Sequence, residues 1–176
     1  MTITLQEMKA ALDDILRLSP NRTGSVEMIV IRPDVDQRIE VEQCRIDCAD
    51  GVVGDNWRQR GAIPKLDAQI TLMNARVIQA VAGSRDRWAL AGDQFFVDFD
   101  LSESNLNPGD QLRLGNAILR VTEEPHTGCA KFAARFGADA GRFVNGRDHA
   151  GLKLRGINCS VVEDGAVAVG DTIAKV

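Results

Sequence analysis

Cysteine and histidine are scarce in this chain of 176 residues, with four of the first and two of the second. Cys44, Cys48, Cys129 and Cys159 are too few and too loosely spaced for a disulfide framework, which implies a reducing cytoplasm. No CxxC or HxxxH partner accompanies Cys44 and Cys48 to complete a metal cage, so both are expected to pack. There is no long apolar run and no apolar secretion segment, which excludes a membrane-spanning helix and a signal peptide from the expectation. Also missing are a GxxxxGK[ST] phosphate loop, an internal repeat and a low-complexity tract. Basic charge is not in excess either: 21 basic residues face 25 acidic ones, a formal net charge of −4. That balance argues against a general nucleic-acid or anionic-membrane binder, while one local basic pocket remains compatible with it.

What is present suits a single soluble globular domain, with 44% hydrophobic and 26% charged residues. Leu5, Met8, Leu12, Ile15 and Leu16 recur at helical spacing and predict an amphipathic N-terminal helix packed on the domain. Strands are predicted over Ser25 to Arg32, Arg38 to Asp47, Ala68 to Met73, Phe95 to Leu101, Leu152 to Val162, Ala166 to Val169 and Thr172 to Val176. The Phe95 strand alternates as a half-buried one would, with Asp98 and Asp100 on its other face. Asn74 to Ala82 reads as a helix closed by Gly83, and two apolar runs around Gly115-Asn116 form the clearest hairpin. Asp50 to Pro64 is a long Gly-rich charged stretch, a candidate binding loop in which Asp55, Arg58 and Arg60 can reach a polar ligand. Many short strands with turns between them predict a mainly β sandwich or barrel with a few helices.

The most informative segment is Pro125-His126-Thr127-Gly128-Cys129-Ala130-Lys131-Phe132. Cys129, Phe132, Ala133 and Phe136 share one helical face, with Thr127 as the expected N-cap and Gly137 as the expected C-cap. A thiol in the first turn meets unpaired backbone N–H groups and the positive end of the helix dipole, both of which favour the thiolate. A packing cysteine and a reactive one are both compatible with this pattern.

In order along the chain, several blocks resemble the MOSC family. They are Val53-Gly54-Asp55, Ile70 to Met73, Gly92 to Asp98, Asp100 to Leu106, Pro108 to Gly115, Pro125 to Cys129, Leu154 to Ile157 and Val167 to Asp171. The resemblance covers about residues 25–176, with residues 1–24 as a preceding helix and linker. It implies a closed or nearly closed β-barrel with a few short helices, and a link to the pterin-based molybdenum cofactor. By that resemblance Cys129 is a molybdenum ligand or a sulfur-handling thiol, and relatives include reductases of N-hydroxylated substrates. For such a cofactor, Arg58, Arg60, Lys131, Arg142, Arg147 and Arg155 are the available phosphate-gripping cations. Asp55, Asp98 or Asn145 would bond the pterin edge, and His126 would hold the thiolate or relay protons. Where the family usually has Arg-His after its Gly-Asp pair, this chain has Asn56-Trp57, and Asp98 stands where Asn is frequent. With no flavin, haem or iron–sulfur motif, a reductase would need a separate electron-donor protein. The alternatives are a persulfide carrier served by a sulfur donor, and a non-catalytic ligand-binding barrel.

Overall fold

The computed structural model describes residues 2–176. The N-terminal segment forms two short helices, α1 (Leu5–Ala10) and α2 (Leu12–Leu18), rather than one, because the chain turns at Ala11. Eleven strands follow: β1 (Thr23–Ile31), β2 (Ile39–Val41), β3 (Gln43–Asp47), β4 (Gly51–Val52), β5 (Ile70–Asn74), β6 (Phe95–Asp98), β7 (Gln111–Leu114), β8 (Ala117–Val121), β9 (Ile157–Glu163), β10 (Gly165–Ala168) and β11 (Thr172–Lys175). Three more helices are α3 (Ala75–Ala82), α4 (Ala130–Phe136) and α5 (Ala138–Val144).

Seven strands close a barrel in the order β1-β6-β5-β9-β8-β7-β11, with β11 pairing back to β1. Closure leaves no free edge around the ring. Only β5 and β6 run parallel, and α3 makes the crossover between them. Asn74 caps that helix by accepting from the Arg76 and Val77 N–H groups, and Gly83 ends it in the left-handed region. β2 extends the barrel sheet beside β1, while β3 pairs with β4 and β10 in a separate three-stranded sheet. The single strand expected over Arg38 to Asp47 therefore breaks at Glu42, because its halves serve different sheets.

Alternation along the strands sorts side chains into two cores. Val26, Ile29, Ile70, Leu72, Phe95 and Val97 fill the barrel. Met28, Val30, Met73 and Phe96 point outward and are buried under Met8 of α1, Ile15 of α2 and the apolar face of α3. Phe96 is thus fully buried, not half-buried, since helices cover the outer wall. The strand expected from Leu152 begins only at Ile157, after a left-handed Gly156 at φ 110°. A Cβ at Gly156 would stand 2.1 Å from the Leu72 carbonyl oxygen, so only glycine permits this approach. Helix α5 was not expected from sequence; Ala140, Phe143 and Val144 bury its inner face in the outer core. Among the described residues no helix is long and apolar enough to cross a membrane.

Candidate functional site

At one end of the barrel, the C-terminal ends of β1 and β8 meet the N-terminal ends of β6 and β9. Each delivers a charged or titratable residue: Arg32 after β1, Asp93 before β6, His126 in the loop after β8 and Arg155 before β9. A buried charge must be paired, and these are. Arg32 grips Asp55 through Nε–Oδ2 and Nη2–Oδ1 bonds, both 2.8 Å. The same carboxylate accepts from the Arg32 and Trp57 backbone N–H groups, which fixes the start of the turn at Asn56–Gln59. Alongside, Arg155 Nη1 donates to Asp93 Oδ2 at 2.6 Å, and His126 Nε2 lies 2.6 Å from Asp93 Oδ1. The network assigns the proton of His126 to Nε2, donating to the carboxylate; the 2.9 Å approach of Arg155 Nη1 to the same nitrogen follows from both groups crowding Asp93. Carbonyl oxygens of Ala91 and Gly92 accept from Arg155 and Arg32, tying the two pairs together.

Burial pushes the Asp93 carboxyl up, but Arg155 and then His126 outweigh it and hold it at about 2. Burial also lowers the His126 imidazolium pKa, against Asp93 and with Arg155, so the ring is neutral at neutral pH.

The loop from Thr122 to Cys129 is held at both ends. Thr122 Oγ1 donates to the Asp67 carbonyl, Asn158 Nδ2 to the Glu124 carbonyl, and Lys65 pairs with Glu124. Asn145 clamps Gly128 twice, accepting from its N–H at 2.8 Å and donating to its carbonyl at 2.9 Å. A side chain at Gly128 would meet Val144 Cγ2 at 2.8 Å, so the clamp requires a bare backbone. Cys129 is itself the N-cap of α4, two places later than the expected Thr127, and Gly137 ends the helix as expected. Phe132 and Phe136 turn inward while the Cys129 thiol stays exposed. No N–H bonds the sulfur directly, but those of Phe132 and Lys131 face it. Partial burial raises the thiol pKa; these N–H groups and then Arg155 outweigh it, so the net shift is downward. The other three cysteines shift upward: Cys44 to about 12 and Cys159 further through burial, and Cys48 mainly through its bond to Asp164. Alkylation rate against pH should therefore give Cys129 a midpoint below the ordinary thiol value of about 8.5, and Cys48 a midpoint above it. Peptide-resolved iodoacetamide labelling measures both, and equal midpoints would contradict the local electrostatics.

Cys129 opens onto a cleft of about 640 Å³ lined by seven basic side chains and one carboxylate, Asp36. Arg155 and Arg32 form its inner wall, with Arg38, Arg60, Lys65, Lys131 and Arg135 nearer the mouth. Arg135 and Lys131 share Asp36. Arg38 and Arg60 bond only neutral acceptors, the Asp36 carbonyl and Asn56 Oδ1. Burial first, then repulsion from neighbouring guanidiniums, makes both less basic than usual, opposed by Asp36 and Asp55 respectively. Buried Nε atoms of Arg38 and Arg155 have no hydrogen-bond partner. Such a set of cations, short of anions, is arranged for an anionic ligand.

Of the residues singled out from sequence, Cys129, His126, Arg60, Lys131 and Arg155 line this cleft. Asp55 lies beneath it as the partner of Arg32, and Asn145 acts behind it on Gly128. Four others lie elsewhere. Arg58 turns away to Asp50 and the Ala49 carbonyl. Asp98 is held by a bidentate bond from Arg76 beside α2 and α3. Arg142 pairs with Asp139 within α5, on the solvent side. Arg147 begins a short turn, Arg147–Leu152, and does not reach the cleft either. Trp57 is buried at 4% exposure and packs in the wall of the cleft. Sequence reasoning missed Arg32, Arg38, Lys65 and Asp93, while Arg135, six residues after Cys129, is near the thiol in the chain and lines the cleft. A usable signal existed for two of them: Arg32 ends, and Asp93 starts, an otherwise apolar strand, where a charge must find a buried partner.

Comparison with known proteins agrees with this architecture. The family model described as MOSC domain matches residues 65–174. No curated protein matches the chain. Among solved structures, the YuaD protein of Bacillus subtilis superposes with a TM-score of 0.57 at 20% identity, covering 86% of this chain and 94% of its own. YiiM of Escherichia coli gives 0.55 at 18% identity, covering 86% and 69%. YiiM of Geobacillus stearothermophilus gives 0.56 at 15% identity, covering 89% and 73%. At these identities the likeness is one of fold.

Proposed function

Because this chain belongs to the MOSC domain family, we propose that it binds the pterin-based molybdenum cofactor in the cleft at Cys129 and acts as a cytoplasmic oxidoreductase on small N-hydroxylated or related substrates. The observation that carries this reading is the exposed thiol, facing the Phe132 and Lys131 N–H groups, at the edge of a cleft lined by seven basic side chains. The donor set fits the group. Molybdenum favours soft sulfur, the pterin dithiolene brings two such donors, and one thiolate supplies a third. Among the described residues no group of three or more Cys, His, Asp or Glu could hold a metal ion, so a metal here must arrive with donors of its own. The cofactor's phosphate suits Arg38 and Arg60, which lack carboxylate partners. When bound, the cofactor supplies two-electron oxygen-atom or N–O bond chemistry.

The chain's own residues then bind, orient and move protons. Arg38, Arg60 and Lys131 hold the anionic end of the ligand by charge-assisted bonds. The buried Arg32–Asp55 pair supports the turn that carries Arg60. Neutral His126, oriented by Asp93, presents its second ring nitrogen as a proton acceptor; Asp93 stays ionised throughout, because Arg155 neutralises it. Electrons come from a separate donor protein.

Protein made in a cofactor-competent host supplied with molybdate should carry close to one molybdenum and one pterin per chain by metal analysis and fluorescence of the oxidised pterin. Absence of both overturns the reading. One observation favours a second reading: the sulfur lies at the mouth of the cleft, where a partner protein can touch it. A persulfide carrier would release sulfur from Cys129 to cyanide and contain no molybdenum.

A further inference from the structure

We propose that Cys129 is also a site of reversible S-thiolation by anionic disulfides of tripeptide size, selected by the charge of the cleft. Three observations support this: access to the sulfur, room beside it, and cations that give the partner its sign. The thiol is exposed, so a disulfide can reach it in line. The volume of about 640 Å³ falls within the range of roughly 300–1,000 Å³ typical of small-molecule sites. Arg155, only 6% exposed, lines the cleft with a buried Nε–H that has no partner, and Arg38, in the same lining, has an Nε–H equally unsatisfied. Carboxylates flanking a disulfide would meet the guanidiniums of Arg38 and Arg60, which have no carboxylate partner of their own.

The exchange needs no outside oxidant. The Cys129 thiolate attacks one sulfur of the disulfide, a new S–S bond forms to Sγ, and the old S–S bond breaks. The departing thiolate keeps that electron pair and takes a proton from water. Cys129 is oxidised to a mixed disulfide as the released thiol is reduced, and excess thiol reverses the step. A mixed disulfide fills the cleft and withdraws the sulfur, so modification and metal ligation exclude one another. That exclusion rests on the cofactor reading; the modification itself does not.

Cys48 supplies an internal contrast. It is exposed too, but its N–H donates to Asp164 Oδ1 at 2.9 Å, so it sits in a negative field.

The test uses the full chain from a host unable to make the pterin cofactor, so that Cys129 is a free thiol whatever the fate of the metal reading. Oxidised glutathione, which is anionic, and cystamine, which is cationic, are reacted at low ionic strength. Mixed disulfide is quantified at each cysteine by peptide mass mapping, and rates are divided by those of the neutral disulfide bis(2-hydroxyethyl) disulfide. The normalised preference for glutathione at Cys129 should be about tenfold or more, the lower end of electrostatic steering in a single-sign cleft. It should collapse in about 1 M salt, where the Debye length is about 3 Å, and in an Arg38→Glu/Arg60→Glu double variant. Cys48 should show the opposite order. No reaction at Cys129, a preference below tenfold, or an equal preference at Cys48 overturns the proposal.

Discussion

Replacing Asp93 by alanine is expected to cost about 3–5 kcal/mol of folding stability, the usual result of removing one partner from a buried ion pair. Domains of this kind are stable by only about 5–15 kcal/mol, so the loss is a large share of the total. The reason is what remains behind. The Arg155 side chain is 7% exposed and would keep its charge with no carboxylate near it. One of its nitrogens already lacks a partner, and the His126 N–H would lose its acceptor as well. Asp93→Asn keeps the shape and one acceptor and should cost less. Urea unfolding followed by circular dichroism measures both; a change under about 1 kcal/mol for the alanine variant would mean that the pair contributes little.

The same carboxylate sets a pH dependence whose sign is fixed. Its folded pKa is about 2, below the unfolded value of about 3.9. The stability it contributes is present above about pH 4 and is lost as pH falls toward 2, because the unfolded chain binds the proton first. His126 acts higher in the scale. Its folded pKa is depressed, so stability also declines as pH falls below the unfolded histidine value of about 6.5. Asp93→Asn should therefore flatten the lower part of the wild-type acid profile.

The second large effect falls on the cofactor. Cys129→Ser should lower molybdenum content more than about tenfold, since even outer-shell changes cost 10–100-fold in metal affinity. A serine hydroxyl is a hard donor and stays protonated at neutral pH, whereas the Cys129 thiol is held toward thiolate by backbone N–H groups and Arg155. Stability should move by no more than about 0.5 kcal/mol, as for other exposed positions. Cys48→Ser, away from the cleft, should retain the metal. Full molybdenum content in Cys129→Ser would remove the thiol from the metal's ligands and leave the cations as the only grip. In the carrier reading the same variant loses cyanide-labile sulfur instead.

Local patterns in the chain reached far into the fold. The hairpin at Gly115-Asn116, the helix from Asn74 to Gly83 and the end of α4 at Gly137 stand where turn and cap residues put them, because each depends on neighbours a few residues away. Where neighbours came from distant segments, the reading slipped. The Arg38 to Asp47 run looks like one strand, and its division at Glu42 is imposed by β1 on one side and β10 on the other. Alternation puts Phe96 on the face of Asp98 and Asp100, and it is the packing of α1 to α3 that buries it.

The site divides the same way. Cys129 was legible because its signal is local: glycine before it, a helix start at it, a lysine after it. Arg58, Asp98 and Arg142 carry the right charge, but each is captured by a partner close at hand, Asp50, Arg76 or Asp139. Arg32, Arg38, Lys65 and Asp93 come from separate parts of the chain, and only barrel closure gathers them at one end. The sequence alone determined that a thiol would stand at a helix start in a mostly stranded domain, since caps, turns and alternation act over a few residues. Which charges surround that thiol was decided by the tertiary structure, because Coulomb energies follow distance in space and a closed barrel sets that distance independently of separation along the chain.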